Sequence, residues 1–260
     1  MSITDNIVAA YKLENTDDEK GNYDLTNNNG VTFTLDGKFN KGANNGGVAS
    51  HTLSRGDSIG TTLTGEKSIS LWVKMVTDMS GANNQYNTIF SVRYGSPDYI
   101  SFDIGYFRLS EVNKVAVGSS KGCVGSWLNY KDTDMGTTTF HNIILKTNTS
   151  GTKIKMYFDG TYVGEVTRTA GNGTCHNTAT IISQADSGAD WIIDDVVVWD
   201  REITTDEIAT IWNSGTGLAY PFEVPAGPAN LKSINGLAKA SIKSRNSLAI
   251  GSIKSINGLS

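Results

Sequence analysis

Along most of the chain, short runs of apolar and β-branched residues alternate with polar ones and are bounded by Gly, Asn, Asp and Ser. Such runs fit the two-residue repeat of a β-strand, and their frequent recurrence marks an all-β sandwich or barrel. The pattern predicts strands near 6–14, 30–35, 46–53, 66–76, 86–94, 98–104, 113–118, 124–130, 139–147, 152–158, 161–168, 178–183 and 191–199. The clearest hairpin joins Thr152-Lys-Ile-Lys-Met-Tyr-Phe158 to Tyr162-Val-Gly-Glu-Val166 through Asp159-Gly160, because Asp-Gly supplies the positive φ angles of a type I′ turn. One helix is expected at 204–213. There Thr204-Thr-Asp-Glu207 reads as a capping box ahead of Ile208, Ile211 and Trp212, and Gly215 stands ready to stop it. The expected fold class is therefore all-β, a two-sheet antiparallel sandwich with one short helix.

The pattern changes beyond residue 222. Pro221, Pro225 and Pro228 fall within eight residues, a composition that makes a semi-extended spacer. This divides the chain into a folded body (1–222), a Pro-rich linker (223–230) and a tail (231–260). The tail repeats with a period of 11: Leu231-Lys-Ser-Ile-Asn-Gly-Leu-Ala238, Ile242-Lys-Ser-Arg-Asn-Ser-Leu-Ala249 and Ile253-Lys-Ser-Ile-Asn-Gly-Leu-Ser260. Each copy reads as a miniature strand, turn and strand that cannot bury an apolar face alone. Ile234, Leu237, Ile242, Leu248, Ile253, Ile256 and Leu259 are the expected anchoring residues. They order the tail either by packing with identical tails, which gives a homo-oligomer, or by adding strands to another protein.

Charge sharpens this division. The net charge of −4 hides five bases and no acid in residues 229–260, which leaves seventeen bases against twenty-six acids in the rest. A basic tail on an acidic body points to a separate acidic partner for the tail, and the overall balance argues against nucleic acid. No stretch approaches the roughly 18 apolar residues of a membrane helix, and Met1-Ser-Ile-Thr-Asp-Asn6 lacks the basic and apolar regions of an export signal. Neither a membrane partner nor secretion is expected. Cys123 and Cys175 have no zinc-ligand spacing; a disulfide between them and two separate thiols both remain open.

Three stretches of the body carry a family resemblance. The first is Ile7-Val-Ala-Ala-Tyr-Lys-Leu13 with Asp18, Gly21, Asn22, Leu25, Gly37, Phe39 and Gly42; the second is Ser68-Ile-Ser-Leu-Trp-Val73. The third runs from Thr139-Phe-His-Asn-Ile-Ile144 through Lys153–Gly160 to Ile193-Asp-Asp-Val-Val-Val-Trp199 and Asp206-Glu-Ile-Ala209. Together, over about residues 5–215, they resemble the concanavalin A-like, laminin-G-like jelly roll. Phe140 stands where the family usually has Trp, and Asn142 where it has a second His. The resemblance implies a jelly-roll topology, and Trp72, Phe140, Tyr157 and Trp199 are expected in the core.

Hydrolysis of a glycoside needs two carboxylates held about 5 to 10 Å apart. Enzymes of this fold usually take them from a Glu-x-Asp-x-Glu run, which is absent here. Asp194 and Asp195 are adjacent on an expected strand, so alternation should turn them to opposite faces. His51, His141 and His176 are dispersed, with no nucleophile elbow, and His141 reads as a strand residue. A single, lengthened Asp-box-like run, Ser183 to Trp191, does not make a repeated propeller. The chain is expected not to be an enzyme.

Calcium is the one cofactor the sequence suggests. Asp17, Asp18, Asn22 and Asp24 supply hard oxygen ligands, and the resemblance implies Asp195 as a late ligand; turn formation by the same residues is the alternative. The expected metal set is Asp18, Asn22, Asp24 and Asp195. Carbohydrate recognition combines exposed aromatics with Asn and Asp on loops. The expected sugar-binding residues are Asn84, Tyr86, Tyr94, Tyr99, Tyr130 and Asp132.

Tandem Lys-Ser-Ile-Asn-Gly-Leu-Ala tails resemble those at the ends of phage and bacterial surface proteins. The expected function is that of a virion surface protein of the capsid-decoration, head-fibre or tail-fibre type, assembled in the host cytoplasm. Its lectin-like domain meets a host-surface polysaccharide, and residues 229–260 fasten it to other virion proteins. A polysaccharide-degrading glycosidase and a purely structural decoration protein are the alternatives.

Overall fold

The computed structural model describes residues 1–48, 50–57, 59, 66–77, 86–94, 100–109, 112–121, 124–130, 138–147, 153–167, 179–184, 190–223 and the pairs 233–234, 237–238, 244–245 and 248–249. The strands of the body are β1 (Ile7–Tyr11), β2 (Thr26–Asn28), β3 (Thr32–Thr34), β4 (Gly42–Asn44), β5 (Thr52–Arg55), β6 (Ser68–Met75), β7 (Tyr86–Tyr94) and β8 (Ile100–Leu109). They continue with β9 (Val112–Lys121), β10 (Val124–Tyr130), β11 (His141–Thr147), β12 (Lys153–Phe158), β13 (Thr161–Thr167), β14 (Ala179–Gln184) and β15 (Trp191–Trp199), before the helix α1 (Thr205–Trp212). One sheet runs β13-β12-β11-β6-β15-β4-β3, with β1 also paired to β15, and the other runs β10-β9-β8-β7-β14-β5-β2. All the strand pairs are antiparallel.

The two central strands of the first sheet explain its burial. In β6, Ile69, Leu71, Val73 and Met75 join the apolar core together with Leu53, Phe90, Val92, Ile104 and Ile182 of the second sheet. Burying an Ile or Leu side chain contributes about 1.5–3 kcal/mol, so these alternating positions fix which face turns inward. The other face of β6 is covered as well. Trp72 stacks on Trp212 of α1 with ring centroids 5.6 Å apart, and Phe39 meets it edge-on at 5.8 Å. Ser68 Oγ donates to Arg201 O at 2.8 Å and accepts from Ile203 N at 2.9 Å.

The helix forms at its capping box, as its sequence predicts. Thr204 accepts from Glu207 N, and the Glu207 carboxylate accepts from Thr204 N. That carboxylate also takes a two-point contact from buried Arg201, at 2.7 and 2.8 Å, while Arg201 donates to Asp5 O and Ser2 O. One guanidinium thus ties helix, sheet and N-terminal segment together. The helix stops at Asn213, which adopts φ 45°, two residues before the expected Gly215. A short polar side chain tolerates that left-handed conformation.

Other expectations shift in detail. The Asp159-Gly160 turn has φ of 50° and 73°, as a type I′ hairpin requires. The strand expected over 46–53 starts only at Thr52, the first residue of β5, because Gly46 and Gly47 take φ of 61° and 66° and make a turn. β2 has the polar sequence Thr-Asn-Asn and gives no apolar signal. Trp72, Tyr157 and Trp199 are buried as expected. Phe140 is half-buried, with Lys74 Nζ 5.0 Å from its ring centroid.

Residues Met1–Tyr220 form one compact unit and Pro221–Ser260 a second. In the second, Ser233–Ile234 pairs with Leu237–Ala238, and Ser244–Arg245 pairs with Leu248–Ala249, both antiparallel. The two pairs keep the same register eleven residues apart.

Candidate functional site

In β15 the core positions are Trp191 and Ile193, then Val196 and Val198. Strict alternation would continue at 195, so the strand contains one residue too many. Its register with β6 slips between Asp194 and Val197, and Asp195 takes φ 48°. This β-bulge overturns the expectation that Asp194 and Asp195 turn to opposite faces. Both line the same pocket, of about 210 Å³, with Lys12, Glu14, Phe39, Asn40, Lys41, Ala219 and Tyr220.

Backbone donors hold the two carboxyls in place. Phe39 N donates to Asp194 Oδ2 at 2.9 Å, and Tyr220 N donates to the two Asp195 oxygens at 3.0 and 3.2 Å. At the rim, Asn40 Nδ2 donates to Glu14 Oε1 at 2.8 Å. Each aspartate is 2% exposed. Burial pushes the Asp194 carboxyl up to about 7, against the pull of backbone N–H groups, and pushes Asp195 up to about 8, with the neighbouring Asp194 adding to the rise.

At neutral pH the floor of the pocket can therefore donate as well as accept hydrogen bonds. Around it stand an amide, two ammonium groups, a carboxylate and the rings of Phe39 and Tyr220. That set suits a hydroxylated ligand of about one sugar ring. It suits glycoside cleavage poorly, because that reaction uses carboxyls on opposite sides of a scissile bond, and these two are adjacent on one strand and clamped to backbone.

Of the expected calcium ligands, Asp18, Asn22 and Asp24 share one loop, and Asp195 lies in β15. Asp18 is buried, and its oxygens accept from the backbone N of Ala10 (2.8 Å), Lys20 (3.0 Å), Asn22 (3.1 Å) and Tyr23 (3.1 Å). Asp24 Oδ1 accepts from Asp18 N at 2.9 Å, and exposed Asn22 donates to Lys20 O. Asp195 belongs to the pocket. Among the described residues, no group of three or more His, Cys, Asp or Glu could hold a metal. These residues act as turn formers: Asp18 ties the loop of residues 18–23 to β1.

The expected sugar-binding residues divide as well. Asn84, Tyr99 and Asp132, like Cys123 and Cys175, lie outside the described residues. Tyr86 and Tyr94 are the two ends of β7, eight residues or about 26 Å apart along the strand. Tyr130 pairs with Val115, whose partner on β8 is Tyr106, next to the Phe107 that pairs with Tyr86. Tyr86 and Tyr130 thus lie toward one end of the second sheet and Tyr94 toward the other. Of the anchoring residues, Ile234, Leu237 and Leu248 fall in described strands, while Ile242, Ile253, Ile256 and Leu259 lie outside the described residues. His141 is a strand residue, as expected, with Nδ1 2.7 Å from Asp159 Oδ2 and its ring stacked on Phe158.

The pocket itself went unforeseen. Its signal was the phase slip in Trp191-Ile-Ile-Asp-Asp-Val-Val-Val-Trp199, where apolar residues resume one position late.

A family model described as the concanavalin A-like lectin/glucanases superfamily matches residues 42–209. No curated protein matches the chain in sequence. Among solved structures, the binding domain of Paraclostridial Mosquitocidal Protein 1 is similar, with a TM-score of 0.61 at 13% identity over 82% of this chain and 53% of that one. The botulinum neurotoxin serotype D binding domain gives 0.62 at 12% over the same shares. The binding domain of botulinum neurotoxin DC in complex with SialylT gives 0.59 at 16%, over 82% of this chain and 52% of that one. The chain spans about half the length of these structures, and at such identities the likeness is one of fold.

Two outcomes follow from the site. Asp18→Ala removes an acceptor from four backbone N–H groups and should cost about 3 kcal/mol of stability. The loss of Tm should be equal in calcium and in chelator; a loss confined to calcium would restore the metal site. For Asp195, a folded pKa raised above the ordinary carboxylate value makes the folded state bind the proton more tightly. Stability should fall as pH rises from about 4 to about 8. The Tm of Asp195→Asn relative to the natural protein should rise across that window and level off above it; a constant difference would contradict the assignment.

Proposed function

The chain belongs to the concanavalin A-like lectin/glucanases superfamily, and from that premise we propose that it is a non-enzymatic virion surface protein. Its jelly roll adheres to a host-surface glycan, and its C-terminal repeats anchor it to other virion proteins. The observation that carries the glycan reading is the pocket of the β15 bulge, where Asp194 and Asp195 form a polar floor beneath Asn40, Lys41 and Tyr220. A rigid sandwich holding a few converging polar groups beside aromatic rings is a favourable frame for a sugar. The similar fold of a binding domain that is itself complexed with SialylT supports the same reading. The basic repeat tail on an acidic body supports the anchoring role, and the resemblance of its repeats to the ends of phage and bacterial surface proteins supports the virion setting.

A second reading, glycoside hydrolysis, is favoured by one observation, the pair of raised carboxyls in a single pocket. Placement weighs against it, since cleavage uses carboxyls on opposite sides of the scissile bond and these two are adjacent on one strand and held by backbone N–H groups. On a glycan array the purified chain should bind host polysaccharide and release no reducing ends. Asn40→Ala combined with Tyr220→Ala should weaken binding at least tenfold while the protein still melts cooperatively, because the Tyr220 backbone N–H that holds Asp195 is kept. Reducing ends that vanish with Asp194→Asn would establish the enzyme. A folded chain that binds no glycan would leave the structural decoration role. Antibody raised to residues 1–222 should mark the particle surface in negative stain, and unlabelled particles would remove the virion role.

A further inference from the structure

The tail shows one backbone device used twice. Ser233 pairs with Ala238 and Ile234 with Leu237; eleven residues on, Ser244 pairs with Ala249 and Arg245 with Leu248. Each strand is two residues long, which is far below what an isolated hairpin needs for stability in water. Among the described residues each pair is a sheet of two strands, and strands added from outside can extend it.

What adds them is constrained by the period. A partner that fits the first repeat meets the same register again eleven residues later, and the sequence offers it a third time at Ile253–Ser260. A partner with the same eleven-residue period engages all three in one register. The one chain in hand with that period is this one. The aligned repeats also say which positions such a contact uses. Leu231, Ile242 and Ile253 form one column that is apolar in every copy, and Leu237, Leu248 and Leu259 form another. The position of Ile234 and Ile256 is filled by Arg245 in the middle repeat, so it accepts a charge and lies at the margin of the contact. The five uncompensated bases oppose burial in a like-charged bundle, so Lys232, Lys243 and Lys254 belong on its outside.

We propose that residues 231–260 form a homotypic assembly segment, in which tails of separate copies pair in register through the columns Leu231/Ile242/Ile253 and Leu237/Leu248/Leu259. This deepens the anchoring reading, because the bundle's basic exterior is then the surface that meets the particle, and it is independent of what the body binds.

Light scattering on the full chain tests it. The natural protein should have at least twice the 27.9 kDa mass of one chain. Leu237→Asp with Leu248→Asp should return it to 27.9 kDa. Lys232→Ser with Lys243→Ser and Lys254→Ser should keep the assembled mass while losing incorporation into particles; retained incorporation would overturn the anchoring reading alone. A natural chain of single mass, or a double Asp variant that stays assembled, would overturn the homotypic segment. A single-mass chain that still enters particles would assign the tail to a particle protein instead.

Discussion

One extra residue in the most buried strand of the first sheet decides what this jelly roll can do. β15 runs along β6 on one side, and on the other it pairs with β4 at Ile192–Ile193 and with β1 at Val196–Trp199, so the bulge falls where one partner gives way to the next. A left-handed non-glycine residue there costs about 1–3 kcal/mol and persists when surrounding contacts over-determine it. Asp195 receives the Tyr220 N–H, and Asp194 receives that of Phe39. These bonds hold segments far apart in sequence against the bulge, and the pocket is the space left among them. Strain, buried carboxyls and pocket have one origin.

Beside the bulge, the outer face of β6 is closed. Trp72 is sandwiched between the edge of Phe39 and the face of Trp212, and Arg201 joins α1 to the N-terminal residues through Glu207, Asp5 and Ser2. Among the described residues, Lys67, Lys74 and Lys146 are buried cations held by Asp200, Asp36 and Glu202 respectively. Breaking such a pair by removing one partner costs far more than its presence contributes, so these contacts hold the segments that carry Asp36, Asp200 and Glu202 against the sheet. Around the bulge, polar groups converge on open space.

The sequence carried the fold wherever local and tertiary preferences agree. The Asp159-Gly160 turn, the Thr204–Glu207 box and the apolar alternation of β6 each specify structure within a few residues. Where side-chain pattern is silent the reading lost accuracy, as at the polar strand β2 and the double-glycine turn of 46–47. The site was less legible for a different reason. Lys12, Asn40, Asp195 and Tyr220 are brought together by topology, and alternation misassigned the two aspartates because one inserted residue reverses every side chain that follows. Composition alone selected the tyrosines of the second sheet, and the sheet's register then set Tyr86 and Tyr94 at opposite ends of one strand.

The central claim is that the bulge of β15 is where the glycan is held. Carbon-13 NMR of the aspartate carboxyls, recorded as host-derived oligosaccharide is added to the full chain, tests it most directly. Resonances of Asp194 and Asp195 should shift in proportion to ligand bound, while the buried Asp18 carboxyl, committed to the backbone of its own loop, stays fixed. Saturable binding that leaves Asp194 and Asp195 unmoved, with changes confined to the second sheet, would contradict the account.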